Sequence, residues 1–112
     1  MADCVFCKII SGDIPSKKVY EDDKVIAFHD IDPQAPVHVL IIPKRHIVSL
    51  NEFTNKEKEL LGEIVLRIPK IAKDLSIDQG YKVVINNGKD AGQIVPHVHI
   101  HILGGKSLQG VV

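Results

Sequence analysis

The fold is decided by the stretch His97-Val98-His99-Ile100-His101-Ile102-Leu103-Gly104-Gly105, in which imidazole and aliphatic side chains alternate. Successive side chains of a β-strand point to opposite faces of the sheet. The three histidines therefore share one face, and Val98, Ile100 and Ile102 share the other. We predict a strand over His97 to Leu103, ended by the two glycines, with an apolar back and three imidazoles in front.

Three imidazoles on one strand face are open to three interpretations: a solvated polar face, a metal site or a catalytic group. Alternate residues of a strand are roughly 6.5–7 Å apart. Three ligands from one straight strand are therefore too far apart to share a zinc ion, because Zn–N bonds are roughly 2.0–2.1 Å long. A neutral imidazole is a good nucleophile near neutral pH, since its unperturbed pKa is ~6.5. The pattern favours catalysis without excluding the other two interpretations.

Four more strands and two helices are predicted ahead of the histidine strand. The strands are apolar runs bounded by turn residues and span Lys17 to Glu21, Val25 to Asp30, Val37 to Ile42 and Tyr81 to Asn86. A short helix is predicted over Cys4 to Ile10. A long helix follows the capping box Thr54-Asn55-Lys56-Glu57 and carries one apolar stripe at 3.6-residue spacing. Since most connections are short, we expect an α+β fold with a mainly antiparallel five-stranded sheet, one long helix and one short helix.

The composition narrows the classes of function. The 112 residues, 45% of them hydrophobic, suit a single domain over residues 1–112. Lys plus Arg and Asp plus Glu both number 14, which provides no basic footprint for a nucleic acid. Three Phe, two Tyr and no Trp provide no stacking platform for single strands. We see no signal peptide, and the apolar runs are too short to cross a bilayer, so we expect a cytoplasmic protein without a membrane partner.

The two cysteines form the motif Cys4-x-x-Cys7. This motif is one half of many zinc sites, but no second half follows at finger-like spacing. By itself it is also compatible with a redox-active pair or with two reduced thiols on a short helix. In a reducing compartment we expect free or metal-bound cysteines rather than a disulfide.

Several motifs together resemble the histidine-triad (HIT) superfamily, and in particular its Hint branch of histidine-triad nucleotide-binding proteins. Besides the histidine stretch, the matching residues are Phe28-His29-Asp30-Ile31, Pro33-Gln34-Ala35-Pro36, His38, Ile42-Pro43-Lys44, His46 and Asn86 through Gln93. The resemblance covers nearly the whole chain. It implies a HIT-like sheet with two helices, a homodimer, and hydrolysis of purine nucleoside phosphoramidates or related nucleotidyl compounds.

The resemblance also implies separate roles for the histidines. His99 would be the nucleophile that takes the nucleotidyl group from the α-phosphate, and His101 would hydrogen-bond the phosphate and steady its developing charge. His38 would support His99 from a neighbouring strand, and His97 completes the catalytic cluster as the first triad histidine. Without the resemblance, His38 would be interpreted as a core histidine.

A nucleotide site is implied as well. Asp30 would accept hydrogen bonds from the ribose hydroxyls, although alone it is typical of a turn. The apolar side chains Val5, Phe6, Ile9, Phe28 and Ile31 match the family's base pocket, although alone they are typical of a core. The phosphate would be held by Asn86, Gly92, Gln93, Ile94, His99 and His101. Gly88 and Gly92 allow positive φ and close backbone approach in this loop, and the side-chain amides of Asn86 and Gln93 can add donors.

The cysteine pair resembles that of bacterial members of the superfamily. In those proteins the two cysteines bind zinc together with two histidines. The resemblance implies a closed structural zinc site made of Cys4, Cys7, His46 and His97, and no organic cofactor.

One departure keeps other functions open. Many Hint proteins have Ser after the loop glutamine, whereas Ile94 follows Gln93 here, so a hydroxyl that could help to protonate the leaving group is absent. The alternatives are cleavage of dinucleoside polyphosphates, as in a sister branch, and a zinc-stabilised nucleotide-binding module whose catalysis is vestigial.

Overall fold

Five strands form one antiparallel sheet in the order β1-β2-β3-β5-β4 in the computed structural model, which describes residues 4–109. The strands are β1 (Lys18–Glu21), β2 (Val25–His29), β3 (Val37–Pro43), β4 (Tyr81–Val84) and β5 (Ile100–Gly104). The helices are α1 (Val5–Ser11) and α2 (Lys58–Asp74), with 3₁₀ turns at Leu50–Glu52, Asn55–Glu57 and Lys89–Ala91. The α+β class and the five-stranded sheet with one long helix are confirmed.

The strand β3 lies at the centre of the sheet, which explains why its sequence is apolar apart from His38. It pairs with β2 on one side and β5 on the other, with Leu40 opposite both Phe28 and His101. Its residues Val39 and Ile41 pack into the core beneath α2, while Leu40 and Ile42 pack into a second core beneath α1. Both faces of the central strand are therefore buried, which requires a continuous hydrophobic run.

The short helix is stopped by the predicted Gly12, and the long helix follows the predicted capping box. The thiol of Cys4 caps α1 by accepting from the Cys7 N–H, and Gly12 ends the helix with a φ of +87°. The Thr54–Glu57 capping box is present, although a 3₁₀ turn separates it from the first residue of α2. Within residues 4–109, no helix combines the length and the apolar character needed to cross a bilayer.

The histidine strand is shorter than predicted, because ladder pairing begins at Ile100 rather than at His97. Continued pairing would place Val98 opposite Pro43, which has no N–H to donate. The Val98 N–H instead donates to the Ile47 carbonyl at 2.7 Å. The shared face nevertheless persists, since the rings of His97 and His99 both lie against Phe6 of α1, while Ile100 and Ile102 join the core beneath α2.

Candidate functional site

The ring of His99 is fixed by a backbone bond just ahead of β5. Its Nδ1 lies 2.8 Å from the carbonyl oxygen of His97, so Nδ1 carries the proton and donates it. The side of the ring packs against Phe6, with 5.1 Å between ring centroids, and only 8% of the residue is exposed. This arrangement leaves the lone pair of His99 on Nε2, which is the tautomer that a nucleophilic imidazole needs.

A chain of hydrogen bonds sets the tautomers of the next two histidines. The backbone N–H of Gln34 donates to His38 Nδ1 at 3.0 Å, so the proton of the buried His38 ring must be on Nε2. That nitrogen lies 2.9 Å from His101 Nδ1 and donates to it. The remaining nitrogen of His101, Nε2, then carries a proton of its own.

His101 Nε2 and the side-chain amide of Asn86 are two neighbouring donors. The amide nitrogen of Asn86 lies 3.5 Å from His101 Nε2, which is too long for a good hydrogen bond. The ring centroids of His99 and His101 are 5.2 Å apart, so the two imidazoles are neighbours. Side-by-side donors next to a nucleophile suit an oxyanion such as a phosphoryl oxygen.

The His101 ring is neutral in this setting. Burial, together with the neighbouring His99 and His38, lowers the pKa of His101 to about 4, while Asp30 opposes the shift. The ring therefore offers a neutral N–H donor at physiological pH.

The carboxylate of Asp30 follows β2 and reaches the same histidines. Its Oδ1 accepts the N–H of Asp32 at 2.8 Å, and its Oδ2 lies 3.4 Å from His38 Nε2. Its neighbour Ile31 is fully exposed, at 101% of the reference area. The structure thus brings Asp30 to the histidines and leaves Ile31 in solvent.

The other apolar residues of the expected base pocket divide into two groups. Phe6, Ile9 and Phe28 lie in the core beneath α1, and the rings of Phe6 and Phe28 meet edge to face with 5.6 Å between centroids. Val5 is partly exposed on the same helix. A pocket for a base would be built on the exposed rim of this core.

The glycine loop before β5 is closed by its own bonds. Gly88 and Gly92 have φ values of +88° and +85°, as the sequence predicts. The side chain of Gln93 accepts from the Gly88 N–H and donates to the carbonyls of Val48 and Val95. The Gln93 N–H donates to the Gly88 carbonyl, so Gln93 braces the loop in this conformation instead of presenting free donors.

Two other residues complete the description of this loop. Ile94 is 91% exposed, and no acceptor within residues 4–109 bonds to its N–H. Asn87, which the sequence analysis did not select, accepts the Leu50 N–H at 2.7 Å and contacts Asn51. No residue pattern signals this bond, because it joins two loops whose proximity comes from the fold.

A second cluster, the cysteine–histidine cluster, lies beneath α1 and consists of Cys4, Cys7, His46 and His97. Its four donor atoms lie within 4.8 Å of one another. The Cys4 and Cys7 sulfurs are 3.4 and 3.6 Å from His97 Nδ1, and the Cys7 sulfur is 3.2 Å from His46 Nδ1. These four residues therefore lie close enough to bind a metal ion, and two sulfurs with two imidazole nitrogens suit a tetrahedral soft cation.

The orientation of His97 supports a metal in the cysteine–histidine cluster. Its Nε2 lies 2.8 Å from the Pro43 carbonyl and donates to it, which leaves the lone pair of Nδ1 facing the two thiols. Burial and the neighbouring Cys4 raise the pKa of Cys7, so a cation would be needed to hold the thiolate form. The same His97 accepts from His99 through its carbonyl, so this residue joins the two clusters.

Asp30, His38 and His101 also place donor atoms within 4.8 Å of one another. A cation there would require the lone pair of His38 on Nε2. The Gln34 N–H occupies Nδ1 and keeps the proton on Nε2, so the tautomer opposes a metal at this point.

Comparisons with known proteins identify the family of the chain. The model of the HIT domain family matches residues 11–108. The Protein HitA of Neisseria gonorrhoeae is 47% identical over 104 residues, covering 93% of this chain and 97% of that protein. The crystal structure of a HIT family hydrolase from Legionella pneumophila superposes with a TM-score of 0.94 at 44% identity, covering 97% and 98% of the two chains. A histidine triad nucleotide-binding protein from Candida albicans gives a TM-score of 0.85 at 42% identity, covering 94% and 76%. The chain therefore belongs to the HIT family.

Proposed function

We propose that this HIT protein is a hydrolase of the Hint type, which cleaves purine nucleoside 5′-phosphoramidates or related nucleotidyl compounds through a nucleotidyl intermediate on His99. The observation that carries the proposal is the tautomer of His99. Its Nδ1–H is held by the His97 carbonyl, which leaves the lone pair on Nε2, and its ring neighbours that of His101, whose Nε2 lies near the Asn86 amide.

The reaction proceeds in two displacements. His99 Nε2 attacks the α-phosphorus, the P–N bond of the substrate breaks, and the amine leaves with a proton drawn from water. A second water then attacks the phosphorus, gives a proton to the hydroxide left by the first water, breaks the bond to Nε2 and releases the nucleoside monophosphate. The N–H of His101 and the amide of Asn86 stabilise the charge that develops on the phosphoryl oxygens.

The rest of the nucleotide fits the surrounding residues. Asp30 retains lone pairs for the ribose hydroxyls, since a carboxylate offers about four acceptor sites. The base would lie on the rim of the core beneath α1, against Val5, Phe6, Ile9, Phe28 and Ile31. The N–H of Ile94, together with Gly92 and a loop braced by Gln93, would serve the phosphate.

Zinc is the metal that the cysteine–histidine cluster suits best, because its donor set is the one found in closed tetrahedral zinc sites. Cys4, Cys7, His46 and His97 would hold it, and its contribution would be structural. It would pin α1 to the sheet and fix His97, whose carbonyl orients His99. We place the protein in the cytoplasm, where reducing conditions keep both thiols available.

The site is tested with adenosine 5′-phosphoramidate and the variant His99→Ala. We expect turnover to fall by roughly 10³-fold or more, because the covalent route is lost. Intact-mass spectrometry of the quenched wild type should show a nucleotidyl adduct that the variant lacks. The exposed His29 supplies the control, since His29→Ala removes an imidazole outside the site.

The outcomes separate the competing functions. Faster cleavage of diadenosine tetraphosphate than of the phosphoramidate would favour the dinucleoside polyphosphate activity. Nucleotide binding without an adduct or turnover would favour the binding module with vestigial catalysis. Unchanged turnover in His99→Ala would falsify the assignment of the nucleophile.

We also propose a homodimer formed through β4 and α2. The strand β4 is an edge strand, so the backbone groups on its outer side are unpaired within the described chain. Tyr81 packs against the core beneath α2, yet Val83 on the same face is 47% exposed, and Val65 and Leu66 of α2 are also exposed. Light scattering on the double variant Leu66→Glu, Val83→Lys should report a monomer where the wild type is a dimer, and a monomeric wild type would overturn the proposal.

A further inference from the structure

We propose that Asp30 has a second role besides the sugar contact: it supports the His38–His101 pair during phosphoryl transfer. This inference rests on the proposed function and assigns a positioning role to the carboxylate. The feature that points to it is the position of Asp30 Oδ2, which lies 3.4 Å from His38 Nε2.

The backbone and one oxygen of Asp30 are held by neighbours. Its N–H donates to the carbonyl of His38 at 2.9 Å, which ties the end of β2 to the start of β3. Its Oδ1 accepts the Asp32 N–H at 2.8 Å. With Oδ1 occupied, the carboxylate is oriented so that Oδ2 faces His38.

Asp30 Oδ2 lies beside the Nε2–H of His38, which already has an acceptor in His101. The Nε2–H of His38 donates to His101 Nδ1 at 2.9 Å, and Asp30 Oδ2 lies on the flank of the same N–H as a second, longer acceptor. Both side chains are largely buried, with 3% of His38 and 18% of Asp30 exposed, so solvent screens their interaction weakly. Asp30 thereby holds the His38 ring in the orientation that serves His101.

The negative charge of Asp30 is directed at these rings. Among the described residues, no lysine or arginine forms a salt bridge with it, and its carboxylate oxygen lies within 4.8 Å of the ligand nitrogens of His38 and His101. The negative charge that develops on the phosphoryl oxygens favours cationic character in the adjacent His38–His101 pair. A nearby unpaired carboxylate stabilises that cationic character, so the pair interacts more strongly with the oxyanion in the transition state than in the ground state.

The two roles of Asp30 are separated by a substrate that lacks the sugar contact. Asp30→Asn is compared with wild type on adenosine 5′-phosphoramidate and on its 2′,3′-dideoxy analogue, under single-turnover conditions at several concentrations. If Asp30 only binds ribose, the variant raises KM for the ribonucleoside and behaves like wild type on the dideoxy compound. We expect instead that it lowers the maximal rate about tenfold on both substrates, because the charge near His101 is lost in either case.

Asp32→Asn is the matched control, since it removes a neighbouring exposed carboxylate from the same turn. It should leave both rates unchanged. An equal loss in Asp32→Asn would overturn the specific role of Asp30, as would a wild-type rate of Asp30→Asn on the dideoxy substrate. Wild-type protein that fails to cleave the ribonucleoside would instead refute the proposed function.

A second measurement needs no substrate. In ¹H–¹⁵N spectra of the imidazoles, the His38 Nε2–H resonance should shift in Asp30→Asn and stay in place in Asp32→Asn. Thermal unfolding of both variants is measured alongside, to establish that each is folded. An unmoved His38 resonance in folded Asp30→Asn would refute the contact itself.

Discussion

Two clusters on the same side of the sheet hold histidine rings in opposite ways. They are the cysteine–histidine cluster and an open cluster formed by His38, His99 and His101. In the cysteine–histidine cluster, His97 donates from Nε2 to the Pro43 carbonyl and directs the lone pair of Nδ1 at two thiols. Two residues later, His99 donates from Nδ1 to the His97 carbonyl and keeps the lone pair on Nε2. In both, a backbone carbonyl takes the proton of one nitrogen, and the choice of nitrogen determines where the lone pair points.

The surroundings then decide what each lone pair can do. His97 is fully buried and faces soft sulfur donors, so its cluster is enclosed by protein, as the proposed structural metal site requires. His99 has no thiol partner, and its neighbours His38 and His101 have their protons arranged as donors. The partner of the second ring nitrogen, more than the histidine itself, thus separates the proposed metal ligand from the proposed nucleophile.

The largest expected effect comes from removing the metal, or its thiol ligands, from the cysteine–histidine cluster. Removal of the metal with a chelator, or the double variant Cys4→Ser, Cys7→Ser, should lower the free energy of unfolding by roughly 4 kcal/mol, as expected for a ligand present at about a thousand times its dissociation constant. Urea unfolding with parallel metal analysis measures this. Chelator should have no further effect on the double variant, and a wild type that is purified without metal and is insensitive to chelator would contradict the structural site.

A substitution in the open cluster should lower turnover and leave metal content and stability at neutral pH unchanged. His101→Gln should lower turnover by about 100-fold, because one donor to the developing oxyanion is lost. Its metal content and midpoint of thermal unfolding should match those of wild type. Loss of metal in His101→Gln would show that the clusters are not separable, and the exposed His29→Gln serves as the control.

Lowering the pH should reduce the free energy of unfolding through the protonation of His101. The pKa of His101 in the folded protein is lowered from 6.5 to about 4 by burial. Between these two values the unfolded chain binds a proton that the folded chain does not, so stability falls as the pH falls through this window. From pH 7 to pH 5 the contribution of His101 is about 2 kcal/mol, at about 1.4 kcal/mol for each pH unit below 6.5.

Urea unfolding at both pH values checks this contribution. The loss between pH 7 and pH 5 should be smaller in His101→Gln than in wild type by that amount. An identical loss in the two proteins would show that His101 titrates normally when folded.

The smallest expected effect concerns the glycine loop ahead of β5. Asn87→Ala removes the acceptor of the Leu50 N–H and should cost about 1 kcal/mol of stability. It should also raise KM a few-fold, since the glycine loop loses one of its ties to residues 48–51. Asn55→Ala, at an exposed turn elsewhere, is the control, and an equal loss of stability there would remove the argument for the tie.

Much of the fold was accessible from sequence periodicity, because alternation in strands and 3.6-residue spacing in α2 report directly which face is buried. The start of β5 was placed three residues early, since the missing donor of Pro43 lies on the partner strand and leaves no mark on the local pattern. The histidines themselves could be selected as candidates. The atoms that assign their roles are the Gln34 N–H and the carbonyls of Pro43 and His97, and backbone atoms carry no residue signature.

The cysteine–histidine cluster was accessible only through resemblance. Cys7 is separated from His46 by 39 positions and from His97 by 90, which no finger-like spacing would connect. Only the docking of α1 against the end of the histidine stretch brings these residues together.

That docking also has a consequence for how the molecule opens. Cys4 and His97 are 93 positions apart, and closing a loop of that length costs about 4 kcal/mol of chain entropy. The pairing of β3 with β5 closes most of the loop, so α1 attaches to a sheet that is already formed. With only 7 residues, α1 is too short to persist as an isolated helix. Its amides should therefore exchange with solvent as one unit, through an opening that exposes both thiols and withdraws Phe6 from His99 in a single event.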